Sequence, residues 1–300
     1  RHVDEARPAR GEHPVDEVAH VGPQGGIEAL VELNRYCTPT LQAVGFDGMA
    51  QLRGWVEALP ADSPLRATFG SLGLYVGSAA ASTTNRDLYL GDAAANTYSA
   101  GDGDDTVDGG AGNDTLHGGL GDDFLSGRDG DDYLSGSNGD DVIVGGAGTD
   151  RLFGEAGHDT LTGGAGNDSL DGGSGNNVYV FGRGDGVDSV VMISDGSAGK
   201  LNTLRLGAGI SAEQITLKQT YNSFWGWNAD LEVAIVGSTD KITFSTAWRG
   251  LSGPATSEYA SLQRIEFADG TFWDTETIKL RLFAGTAGAD GINGTDSADT

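Results

Sequence analysis

The chain has 300 residues, a formal net charge of −26 and a single cysteine, Cys37. That charge argues against nucleic acid or an anionic membrane surface as a direct partner, and one cysteine rules out an internal disulfide. No apolar run approaches the length of a membrane span, and the 50 glycines, more than twice the ordinary share of about 7%, are periodic rather than scattered.

Residues 1–25 are rich in Arg, Glu, Pro and His, lack apolar periodicity, and read as a disordered linker or tail. His2, His13 and His20 lie there at a spacing that suits no compact metal site. Residues 26–80 turn helical. Ile27, Leu30 and Val31 fall on one face, and Met49, Leu52, Trp55, Val56 and Leu59 make a second, with Asp47 as N-cap. Ser63 and Pro64 suit a cap and first helical residue before a third face of Leu65, Phe69, Leu72 and Tyr75 or Val76. Three short helices hold little core alone, so this segment is expected to cap the N-terminal end of the glycine-rich region downstream. Cys37, with no His partner evident nearby, reads as a small buried residue rather than a nucleophile.

From Gly91 to Val180 the sequence divides into ten consecutive nines without an insertion, among them GGAGNDTLH, GGLGDDFLS, GSNGDDVIV and GGAGNDSLD. The sixth position is Asp105, Asp114, Asp123, Asp132, Asp141, Asp150, Asp159 and Asp168, flanked by Asn96 and Asn177 at the ends. The eighth position is apolar or aromatic throughout: Tyr98, Val107, Leu116, Leu125, Leu134, Ile143, Leu152, Leu161, Leu170 and Tyr179. Two chemically distinct invariants at a fixed period indicate a repeat architecture. The block holds 17 Asp and one Glu against two Arg, a net −16, which calls for a metal cation as partner. Residues 82–90 look like a degenerate first unit, with Asp87 and Tyr89 in the sixth and eighth frames but no glycines.

These units fit Gly-Gly-x-Gly-x-Asp-x-U-x, and the array resembles the RTX (repeats-in-toxin) family, the haemolysin-type calcium-binding nonapeptide proteins. The resemblance implies a right-handed parallel β-roll over residues 82–191, a calcium-binding solenoid in which two nines make one coil, each a turn plus a three-residue strand. After Val180 the frame slips by two residues. The segment Phe181 to Asp188 resembles the Phe-Gly-x-Gly-Asp-Gly-x-Asp sequence that commonly ends such arrays, which argues against using Arg183-Gly184-Asp185 as an integrin-type tripeptide.

Residues 200–280 alternate as short β-branched and aromatic strands (LNTLRLG, QITLKQ, DLEVAIVG, KITFST, LQRIEFADG-TFW), with hairpin signals at Gly237–Asp240 and Asp269-Gly270. They resemble the small all-β domain that accompanies RTX arrays. Tyr221, Phe224, Trp225, Trp227 and Trp248 suit an ordinary β core and, secondarily, a sugar-stacking surface. From Gly285 to residue 300 the nine returns, with Asp290 and Asp299 in the sixth frame and Ile292 in the eighth, as the start of a second array. The whole is expected to be mainly β, with a short helical N-terminal segment, and to be an internal piece of something longer.

Calcium takes six to eight hard oxygen ligands. Ions between stacked turns would be held by carboxylates 18 residues apart: Asp105 with Asp123, Asp114 with Asp132, Asp123 with Asp141, Asp132 with Asp150, Asp141 with Asp159, and Asp150 with Asp168. The resemblance implies that backbone carbonyls of turn glycines complete the shells, here Gly103, Gly110, Gly112, Gly119, Gly121, Gly130, Gly139, Gly146, Gly148, Gly157, Gly164 and Gly166. Asn96 and Asn177 lack charge, and Ala94 and Ala100 replace glycines, so sites at both ends are expected to be weaker. An EF-hand is excluded because Asp102-x-Asp104 is followed by Thr106 and Val107 where Asp or Asn and Gly are required.

The expected function is calcium binding by a secreted RTX module, a folding switch, spacer and stabiliser with several ions. In RTX proteins this accompanies unfolded export through a type I system that reads a C-terminal signal. Proteases, lipases, epimerases and pore-forming toxins carry such arrays, but no His-Glu-x-x-His, Gly-x-Ser-x-Gly or P-loop pattern occurs here, so the segment is expected not to be an enzyme. The alternatives are an accessory repeat of an enzyme or toxin, or an adhesin segment binding cell-surface glycan on a host cell.

Overall fold

The computed structural model describes residues 31, 34, 47–66, 69, 74–76, 84–192, 200–221, 229–246 and 262–283. Residues 1–25, Ile27, Leu30, Cys37, Phe224, Trp225, Trp227, Trp248 and the returning nine at 285–300 lie outside the described residues. The chain divides into two units, Arg1–Tyr75 and Val76–Thr300.

In the first unit helix α1 (Gly48–Ala58) starts where Asp47 Oδ1 accepts the Ala50 N–H at 2.8 Å, and it buries Met49, Leu52 and Val56. Arg66 closes its C-terminal end by donating to the carbonyls of Val56 and Leu59 at 2.7 and 3.0 Å. The third helical face is not formed as expected. Pro64–Arg66 and Phe69 are 3₁₀ rather than α-helical, with Leu65 and Phe69 buried, and Leu74–Val76 form strand β1, because a Leu-Tyr-Val run following Gly73 suits an extended backbone better than a helix.

The second unit is a parallel β-solenoid of about six turns up to residue 190. Its strands are β2 (Leu88–Leu90), β3 (Thr97–Asp102), β4 (Thr106–Ala111), β5 (Thr115–Leu120), β6 (Phe124–Asp129) and β7 (Tyr133–Asn138). They continue as β8 (Val142–Gly148), β9 (Arg151–Ala156), β10 (Thr160–Gly166), β11 (Ser169–Asp171), β12 (Val178–Phe181) and β13 (Val187–Met192). Alternate strands fall in alternate sheets, so each coil of two nines adds one strand to each sheet. Most strands are six or seven residues long rather than three. Identical turns stacked in register let the ladder run on into the glycines, as where the Gly103 N–H donates to the Leu120 carbonyl at 2.7 Å.

The eighth-position side chains point between the sheets and stack directly on one another. In one sheet the register runs Tyr89, Val107, Leu125, Ile143, Leu161, Tyr179. In the other it runs Tyr98, Leu116, Leu134, Leu152, Leu170, Val190. Val107 through Leu161 are fully buried. This narrow double column is the core of the roll.

The segment from residue 200 continues that core. Strands β14 (Thr203–Leu206), β15 (Ile215–Tyr221), β16 (Ala229–Ile235), β17 (Lys241–Thr246), β18 (Arg264–Glu266) and β19 (Phe272–Asp274) extend the same two sheets. Tyr179 pairs with Leu204, then Ile265, then Trp273; Val190 pairs with Phe244, then Leu231. Both hairpin signals are realised as antiparallel pairs with Gly237 and Gly270 at positive φ. Helix α2 (Thr275–Phe283), which the sequence pattern does not separate from the strands, starts where Asp274 accepts the Thr277 N–H. Arg281 lies over the Trp273 ring at 3.9 Å.

Candidate metal centre

Each sixth-position residue sits where a turn enters a strand, and each is almost wholly buried. One carboxylate oxygen is committed to the backbone. Oδ1 of Asp123 accepts the Asp105 N–H at 2.7 Å, Oδ1 of Asp141 that of Asp123 at 2.8 Å, and Oδ1 of Asp159 that of Asp141 at 3.0 Å. On the other edge Asp132, Asp150 and Asp168 do the same for Asp114, Asp132 and Asp150 at 2.7, 2.9 and 2.8 Å. The six carboxylate pairs read from the sequence are therefore brought together, each through one charge-assisted bond.

The second oxygen is a different matter. Oδ2 of Asp105, Asp123, Asp132, Asp141, Asp150, Asp159 and Asp168 is buried and accepts no hydrogen bond. A buried carboxylate oxygen left this way is strongly unfavourable unless something positive meets it. The first glycine of each unit keeps space open beside it. A Cβ on Gly118 would meet Asp123 Oδ2 and, at 2.8 Å, the carbonyl of Gly136; one on Gly145 would meet Asp150 Oδ2 and, at 2.5 Å, the carbonyl of Gly163. A hollow lined by a carboxylate oxygen and a carbonyl oxygen suits a hard cation. Among the described residues no three acidic, His or Cys side chains converge, so a cation here depends on backbone oxygens to fill its shell.

The glycines named from the resemblance all have φ between 96° and 156°, a region open to glycine and poorly to other residues. The turns stack so closely that a Cβ on Gly139 would strike the carbonyl of Gly121, and one on Gly157 that of Gly139. The glycine requirement is thus steric as well as conformational. At Asp105 the first position is Ala100, which is fully buried.

Three features go beyond what the sequence pattern predicts. The first-position glycines bound the hollow, a signal visible in their near-invariance. Fifth-position side chains form a second ladder: Asp104 Oδ1 accepts the Asp122 N–H at 3.0 Å, Asp122 that of Asp140 at 2.8 Å, and Asp140 that of His158 at 2.7 Å. The double-Asp units thereby acquire a structural use. Finally, the carboxylate columns run past the regular nines. Asp105 accepts from Asp87 at 2.6 Å, and Asp188 accepts from Asp168 at 3.0 Å. The two-residue slip is an insertion of Phe181 and Gly182, after which Arg183–Val191 is a further unit in frame, with Leu170 opposite Val190. In its turn Asp185 accepts the Gly182 N–H and Asp240 accepts those of Gly184 and Gly186.

Electrostatics agrees with the geometry. Burial first, and neighbouring carboxylates second, push Asp123 up to about 8 and Asp141 and Asp150 to about 7, against the hydrogen bond from the preceding coil. Burial raises Asp105 to about 7 and Asp159 and Asp168 to about 6, and raises Asp132 in the same way. Without a cation the columns resist ionisation near neutral pH.

The end of the column is built differently. Asn177 Oδ1 accepts the Asp159 N–H at 2.9 Å as an aspartate would, but its Nδ2 donates to the Gly172 carbonyl at 2.5 Å. Lys200 Nζ donates to the neighbouring Gly173 carbonyl at 2.7 Å. Asn202 then accepts from Asn177, and Gln263 from Asn202.

Comparison with known families bears on these turns directly. The family model of the RTX calcium-binding nonapeptide repeat (4 copies) matches residues 90–125, 126–161 and 153–188. That of the haemolysin-type calcium binding protein related domain matches residues 230–277. No curated protein matches the chain. With the two carboxylate columns, the glycine turns and both matches in place, residues 90–188 are RTX haemolysin-type calcium-binding nonapeptide repeats, and residues 230–277 are similar to the domain related to them.

Proposed function

We propose that this calcium-binding module couples several ions to its own folding outside the cell, and serves there as switch, spacer and stabiliser in a larger protein rather than as a catalyst. The observation that carries the reading is the file of buried Oδ2 atoms with no hydrogen-bond donor. The roll's core is one apolar residue per nine, too little to offset chain entropy and a row of buried charges together. Ion binding then becomes folding free energy.

Extracellular calcium modules bind at about 10⁻⁴–10⁻³ M, which leaves such a chain unfolded inside a cell and fit for export through a type I system. No helix among the described residues is long and apolar enough to cross a membrane. Circular dichroism tests the proposal: chelator should remove the β signal and calcium near 10⁻³ M restore it. A spectrum indifferent to chelator sinks it.

A further inference from the structure

The outer face of the roll carries a second arrangement, on strands β5, β7 and β9, that the calcium columns do not use. Position two of each nine lies in the left-handed region. From residue 101 on it is glycine in all but three units, the exceptions being Arg128 (φ 81°), Ser137 (φ 83°) and Glu155 (φ 72°). Non-glycine residues held there carry backbone strain, so each invites a reason. Arg128 has one, since its Nε and Nη2 clasp the buried Asp108 at 3.0 and 2.7 Å.

Ser137 and Glu155 have no such partner. Among the described residues neither side chain makes a hydrogen bond or ion pair within the protein. The two stand directly opposite each other on adjacent strands. With Ser135, Asn138 and Ala156 they line a cleft of about 330 Å³, a volume at the small end of ligand sites.

Aromatic rings border the same strip. Tyr133 and Phe153 lie 5.1 Å apart between centroids at 33°, with His117 5.8 Å from Tyr133 on the far side. Tyr133 is 38% exposed. Side chains at 133, 135 and 137 share one face of β7, opposite 151, 153 and 155 of β9. The strip therefore offers an exposed ring platform, then hydroxyls, an amide and a carboxylate, within two strands.

We propose that this strip is a saccharide site, with a pyranose ring stacked on Tyr133 and Phe153 and its hydroxyls bonded by Ser137, Asn138 and Glu155. Stacking of an apolar sugar face on an aromatic ring uses the same surface complementarity that makes tyrosine common in recognition sites. Hydroxyl groups are met by the donors and acceptors beside it. The surrounding block carries a net −16, which selects a neutral sugar over a sialylated or uronic one. The site rests on the calcium-dependent folding proposed for the roll, because β7 and β9 exist only as stacked coils.

The test uses the full chain in calcium, titrated against immobilised glucose-, galactose- and mannose-terminated oligosaccharides and their sialylated counterparts, with circular dichroism in the same buffer reading the calcium response separately. At least one neutral sugar should bind, with Kd of about 0.1–10 mM. Tyr133→Ala should weaken it about tenfold. Ser137→Gly and Glu155→Gly carry the decisive arm. Glycine is the usual residue at that position, so both variants should fold, and melt no lower than the parent, while losing sugar affinity. A folded protein that binds no neutral sugar, binds only sialylated ones, or binds equally well after Glu155→Gly and Tyr133→Ala overturns the site. A dichroism signal indifferent to calcium defeats the calcium proposal alone.

Discussion

The interior coils and the last coil solve one problem in two ways. In both, a side chain at position six accepts the backbone N–H of the coil before, at nearly the same distance whether it is Asp141 to Asp123 or Asn177 to Asp159. They part at the second atom. Asp141 turns a bare oxygen toward the first glycine of its unit, whereas Asn177 turns an NH₂ that donates to that glycine's carbonyl, with the Lys200 ammonium on the next one. The interior leaves a charge for a diffusible cation to meet; the end brings its own donors. Under the calcium coupling proposed above, stability of the middle is conditional on solution conditions and that of the end is not.

Chelation should expose this contrast most strongly. Hydrogen exchange in excess chelator is expected to show loss of protection throughout β4–β10 while amides of β14, β18 and β19 stay measurably protected. Uniform collapse of both regions breaks the comparison.

Next in size is exchange of the two chemistries. Asp141→Asn should remove a buried unmet charge and stabilise the metal-free roll by about 1–3 kcal/mol, while lowering the number of calcium ions bound in a titration. The reverse change, Asn177→Asp together with Lys200→Ala, should destabilise the metal-free protein by a similar amount and leave the calcium-loaded form better off. If both variants shift the metal-free melt in the same direction, the amide is not replacing a cation.

Acid gives a smaller but signed effect. The folded-state values of about 6 for Asp159 and Asp168, about 7 for Asp105, Asp141 and Asp150, and about 8 for Asp123 lie above the ordinary 3.8. For carboxylates raised on folding, the favourable contribution is complete below about 3.8 and is lost as pH rises through 6 to 8. Metal-free roll should therefore gain β signal as pH falls from 8 toward 5. Calcium-loaded roll should move the other way, because the ion requires the ionised form. Equal apo spectra at pH 5 and pH 8 count against buried, cation-starved carboxylates.

How much of this the sequence discloses depends on where the period holds. The aspartate pairs and the apolar column are legible because both recur at every nine, and a spacing of 18 converts directly into stacked neighbours. The continuation of the columns is not. The offset becomes 20 from Asp168 to Asp188, 25 from Asn177 to Asn202 and 61 from Asn202 to Gln263, so no fixed spacing links them. For the same reason residues 200–280 read as a separate β region, although Leu204, Ile265 and Phe244 prolong the two apolar columns. The fifth-position ladder is hidden by its chemistry, since Asp, Asn and His side chains all serve it. The third N-terminal face holds only in part, Leu65 and Phe69 being buried on 3₁₀ turns and Tyr75 and Val76 lying on a strand, because apolar spacing in a short segment fits a turn and a strand as well as a helix.

The two side-chain ladders also point in opposite senses. At position six the later coil reaches back, Asp123 accepting from Asp105; at position five the earlier coil reaches forward, Asp104 accepting from Asp122. Every coil is thus latched to its neighbour from both sides, and no interface between interior coils is weaker for the direction in which it is approached. Under tension along the stack, such a rod has no preferred seam. It yields from a frayed end, coil by coil, each rupture releasing ~60 Å of chain, and under the calcium coupling proposed above the force at each step rises with the calcium around it.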